Sequence, residues 1–223
     1  MCPNLSIRLT VRRGFSFLVC ALTLNLGLWQ FSIAKAPAAS KSQQNQPVSQ
    51  ELSEADKLFI ELRDAARKND VTRSGQLAAA LVNYPYTDYV RYFRIKPQLF
   101  DKGNEARADT ILDEEVYAFL RAYEGTAIAD RLRNDWLLVL SKRKDWPQFD
   151  KEYSLFMLDD DTNVKCYALQ SRLAKQEDPK RIGEDALKIM IDPRNFGSAC
   201  QELAPLLVQA KGLTISQTKA LGR

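Results

Sequence analysis

The 223-residue chain reads as an all-α protein: a superhelix, or solenoid, of about ten short antiparallel helices behind a signal peptide and a linker. Three observations predict this. From residue 53 onward, apolar side chains recur at three- and four-residue steps. No window shows the strict apolar–polar alternation of a half-buried strand. Glycine and proline fall at the junctions between the periodic stretches.

The leader comes first. "RLTVRRG" is a basic start and "FSFLVCALTLNLGLWQFSIA" an apolar run, and Ala36-Pro37-Ala38 offers a small-residue cleavage pattern before Ala39. Residues 1–38 therefore read as a secretory signal peptide and the body as periplasmic. The alternative is an uncleaved membrane anchor, since Phe15 to Ala34 reaches about the 20 residues that span a bilayer. Residues 39–52, rich in Ala, Ser, Gln and Pro, read as a flexible linker. The helical domain is expected over 53–223.

Within that domain Ser53 opens a helix carrying Leu58, Phe59, Leu62 and Ala66. A second runs from Val71 to Tyr84 and stops at Pro85. A third runs from Thr87 toward Lys96 and stops at Pro97. The spacing then predicts helices over Asn104–Tyr123 and Thr126–Lys144, divided at Gly125. Pro147 opens the next, reaching Leu158. Asp161 or Thr162 caps a helix bearing Cys166, Leu169 and Leu173. Pro179 opens another, broken at Ile191-Asp-Pro193, and helices from Phe196 to Ala210 and from Thr214 onward complete the series. Helix pairs that touch mainly their sequence neighbours build a solenoid, with a compact bundle as the alternative, although no strict tetratricopeptide period is present.

Composition excludes several functions. The net charge of +4 comes from the leader: residues 1–36 carry four basic residues and no acid, which leaves 28 basic against 28 acidic residues in the remainder. A neutral body has no excess cation for phosphates, so nucleic acid is not an expected partner. With no histidine, the chain has no Ser-His or Cys-His pair and no imidazole ligand. Cys166 and Cys200 are the only cysteines beyond the leader; in an oxidising compartment they read as a disulfide, with two buried free thiols as the alternative. Two cysteines without histidine do not make a zinc site. Asp113, Glu114 and Glu115 read as a solvated helix face, and Asp159, Asp160 and Asp161, lacking calcium-loop spacing, as a capping turn. No cofactor or metal is expected. "YPYTDYVRYF" is rich in aromatics, whose first reading is helix packing; Tyr and Trp also stack on sugar rings, which makes Tyr86, Tyr89, Trp136 and Trp146 the candidates for glycan contact.

Several blocks, in order, resemble one family. "NYPYTDYVRYFRI", a tyrosine-proline turn leading into a tyrosine-rich helix, is similar to early helices of the periplasmic soluble lytic murein transglycosylases. "FLRAYEGTAIADRLRNDWLLVLSKRKDW" is similar to the block that follows. "KCYALQSRLA" at Cys166 and "SACQELAPLL" at Cys200 resemble the family's cysteine-bearing helices, and the likeness covers roughly Leu58 to Ala210. The resemblance implies a superhelix that shapes a ring beside a lysozyme-like domain, which cleaves the MurNAc–GlcNAc bond of peptidoglycan to 1,6-anhydromuropeptides with one glutamate. The family's "E-S" and "G-L-M-Q" catalytic motifs do not occur in these 223 residues. The expectation is therefore a non-catalytic scaffold section, incomplete relative to the family and with no catalytic residue of its own, that positions murein strands and meets peptidoglycan and other cell-wall proteins. The alternative is a periplasmic helical-repeat adaptor that binds a protein partner.

Overall fold

The computed structural model describes residues 51–191 and 197–221. The expected signal peptide and residues 39–50 of the expected linker lie outside the described residues, as do Pro193 and Phe196.

The described residues form ten helices: α1 (Glu54–Arg67), α2 (Val71–Ala80), α3 (Thr87–Leu99), α4 (Asp113–Ala122), α5 (Ala127–Arg143), α6 (Trp146–Tyr153), α7 (Thr162–Ala174), α8 (Pro179–Ile189), α9 (Ser198–Gln209) and α10 (Ile215–Leu221). Among them the only bridge of β type is the isolated one between Phe100 and Ala106. Local chemistry starts most of these helices. Ser53 and Asp56 form a reciprocal capping box at α1. Asp70, Thr126, Asp145, Asp161 and Asp178 each accept from a first-turn amide. Pro147 and Pro179 sit in the first turns of α6 and α8, where a missing N–H costs nothing. Gly125 supplies the turn between α4 and α5 at φ 76°, a region that favours glycine.

Packing follows sequence order. Each odd-numbered helix lies against the next odd one, from α1 on α3 to α7 on α9, and α2, α4, α6 and α8 pack beside them. The apolar core has two parts: a small cluster of Leu62, Leu77, Leu81 and Val90 among α1–α3, and a larger one running from α3 to α9 around Trp136, Leu137 and Phe149. Phe93 touches both. α5 is central, with contacts to α3, α4, α6 and α7. Twelve of its 17 residues are buried, so its polar side chains have to find partners inside the protein.

Four sequence expectations need correction. Pro97 does not stop α3; it lies inside the last turn, and Pro205 lies inside α9. At Pro97 the lost amide bond is offset by core burial of Ile95, Pro97 and Leu99. The helix expected from Asn104 begins only at Asp113. Residues 100–112 instead form a tight loop in which Asp101 N donates to Glu105 O, Arg107 N donates to Leu99 O, and Asn104 turns at φ 64°. Arg143, far along the chain, donates to the Ala108 and Thr110 carbonyls and so holds that loop. α2 ends at Ala80, short of Tyr84. α6 ends at Tyr153 rather than Leu158, because the buried Asp130 carboxylate takes the amides of Met157 (3.0 Å) and Leu158 (2.6 Å) away from helical geometry.

Candidate functional site

The four candidate aromatics do not share one surface. Trp136 is 0% exposed: it meets Tyr117 edge-on, donates from Nε1 to the Tyr117 hydroxyl at 3.0 Å, and lies under the Arg143 guanidinium. It is a core residue and is closed to any glycan. Trp146 is half-buried and packs edge-on against Phe149. Tyr86 and Tyr89 are exposed, at 59% and 39%. Both border one aromatic cluster, Tyr86 beside Phe59 and Tyr84, and Tyr89 beside Phe93. They form a small aromatic face at the start of α3.

Cys166 and Cys200 form a disulfide joining α7 to α9, with Cα atoms 5.1 Å apart. Three further contacts hold the same two helices. The Asn163 side chain accepts from Ala199 N at 3.1 Å and so caps α9 from α7, since α9 has no side-chain cap of its own. Gln170 Nε2 donates to Ala199 O at 2.9 Å. Gly197 comes so close to the Asn163 carboxamide that a Cβ there would overlap it. The local sequence does not announce this cross-helix cap, because Asn163 lies 36 residues before the amide it serves.

Beside this joint opens a cleft of about 290 Å³. Leu138 and Lys142 of α5 form one wall, Asn163 and Tyr167 of α7 another, with Phe100 and Glu105 from the 100–112 loop. Lys142 pairs with Glu105 at 3.2 Å. Burial presses the Lys142 pKa down, but Tyr167 and Glu105 together hold it above its ordinary value. Burial pushes the Tyr167 phenol up, with Glu202 adding to the rise. The cleft thus presents two aromatic rings together with amide, ammonium and carboxylate groups, a mixture suited to a hydroxyl-rich ligand. Sequence reasoning missed its polar members because they come from three separate segments.

The acidic runs are more engaged than expected. Asp113 pairs with Arg143 and Glu115 with Arg94, so two of the three acids expected on a solvated face hold other helices. In the second run Asp161 caps α7, Asp160 pairs with Arg131 and Asp159 with Lys165.

Compared with protein-family models, curated proteins and solved structures, the chain matches none.

Proposed function

We propose that the chain is a non-catalytic helical scaffold of the kind found in lytic murein transglycosylases, which holds peptidoglycan strands in the periplasm. The observation that carries the reading is the helix order: the blocks that resemble the family fall on α3, α4–α5, α7 and α9, and α3, α5, α7 and α9 are successive members of one packed series. Such next-but-one packing supports a superhelix. The exposed Tyr86–Tyr89 face and the mixed polar cleft beside Tyr167 are the surfaces best suited to sugar.

Purified protein incubated with murein sacculi tests this. The expected result is co-sedimentation with sacculi and no soluble anhydromuropeptides by mass spectrometry. Tyr86→Ala with Tyr89→Ala should weaken sedimentation while leaving the helical circular-dichroism spectrum intact. Released anhydromuropeptides would overturn the non-catalytic assignment, and failure to sediment would overturn the murein assignment. The second reading, an adaptor for a protein partner, is favoured by the exposed apolar residues Val71 and Val82 along an open groove of about 620 Å³ between α2 and α3.

A further inference from the structure

A second cavity, of about 230 Å³, opens between α4, α5 and α6. Its floor holds a buried ion cluster. Arg133 is only 8% exposed; its Nε donates to Glu152 at 3.3 Å and its Nη1 to Asp130 at 3.0 Å. Both acids have further partners: Glu152 accepts from Gln148, and Asp130 from the Met157 and Leu158 amides. The remaining terminal nitrogen of Arg133, Nη2, makes no hydrogen bond among the described residues and is not sealed from solvent, and Arg133 lines the cavity. Open to the cavity, this nitrogen is a charged donor available to the acceptor oxygen of a ligand.

Other groups converge on the same volume. The Tyr117 hydroxyl accepts from Trp136 Nε1 and meets the Gln148 carboxamide, and as a hydroxyl it can still donate its own proton to a ligand. Arg121 and Lys151 line the cavity and form no ion pair among the described residues. Glu124 and Glu152 also line it and set the charge limit: a dianion would meet two carboxylates, a monoanion far less repulsion.

We propose that this cavity binds a small carboxylate, as in a free amino acid or a peptide C-terminus. Arg133 Nη2 and the Tyr117 hydroxyl serve its two oxygens, and Arg121 and Lys151 supply the attraction at the rim. Glu124 is placed for a neighbouring ammonium. The site does not depend on murein binding.

The test is an amide NMR titration of the purified protein with N-acetylglycine, N-acetylglycinamide, glycine and inorganic phosphate. N-acetylglycine should give saturable shifts confined to the segments that line the cavity, around residues 117–124, Arg133 and residues 151–155, and the amide none. Tighter binding of glycine than of N-acetylglycine would identify a free amino acid as the ligand; the reverse would identify a chain terminus. Arg121→Gln combined with Lys151→Gln, both at exposed positions, should weaken binding by about tenfold or more. Equal shifts with the amide, no saturation, unchanged affinity in the double variant, or preference for phosphate would each overturn the proposal. The comparison of carboxylate with amide needs no variant, so it stands even if the substitutions disturb folding.

Discussion

Asp135 gives the chain a pH dependence of unusual sign, and Asp135→Asn should remove it. The residue lies on α5, is 6% exposed, and accepts from the Tyr92 hydroxyl at 2.9 Å. Burial pushes its carboxyl up to about 6, although Lys96 and Tyr92 of α3 and Arg131 of α5 pull it down; Asp161, at the start of α7, adds to the rise. A carboxyl raised in the folded state holds its proton more tightly there than in the unfolded chain. Its contribution to stability is therefore fully present below the ordinary value of 3.8 and is lost as pH climbs through about 6. A rise of roughly two units, at about 1.4 kcal/mol each, sets the scale at about 3 kcal/mol. The assay is urea unfolding of wild type and Asp135→Asn at steps from pH 4 to pH 7.5. Other carboxylates cancel in the difference between the two proteins. Relative to the variant, the wild type should lose about 3 kcal/mol across that range, with most of the change between pH 4 and 6. Tyr92→Phe, which removes a bond that favours the anion, should move the step to higher pH. A flat difference would refute the argument. A difference that grows with pH would show that Lys96 and Arg131 outweigh burial.

Three further outcomes are expected. Reduction, or Cys166→Ser with Cys200→Ser, should cost roughly 4 kcal/mol by loop closure over a separation of 34 residues, read as a lower urea midpoint; equal midpoints would count against it. Asn163→Ala removes the only side-chain cap on α9 and should cost about 1 kcal/mol, with faster amide exchange at Ala199 as the local signature. Arg133→Met leaves Asp130 and Glu152 buried without their cation and should cost about 3–5 kcal/mol, read as a lower urea midpoint; a loss under about 1 kcal/mol would mean that the cluster is solvated.

Much of the architecture is local and was therefore legible. The 3.6-residue periodicity marked about ten helices because each must bury one apolar stripe, and Ser53, Asp161, Pro147 and Pro179 marked starts because caps and first-turn prolines act within a single turn. The expected errors arose where distant groups intervene. Residues 104–112 carry helix-like spacing, but Arg143 claims their carbonyls and the Phe100–Ala106 bridge closes the loop. Residues 154–158 look like a continuation of α6, but Asp130 takes the amides of Met157 and Leu158. Trp136 illustrates the same limit for sites: its identity suits sugar stacking equally well, and only its place under Arg143 and against Tyr117 makes it core.

By itself the sequence determined the all-α class and most of the helix starts, because periodicity and capping act locally; it narrowed the body cysteines to one possible pair, which the structure shows bonded. Only the tertiary structure decided which polar residues matter. The sequence does not single out Asp130, Arg133, Asp135 or Glu152, yet all four are buried, and twelve of the 17 residues of α5 lie in the core, where charges need partners. The cost of burying a charge depends on its neighbours in space, and the helices that supply them here are brought together only by folding.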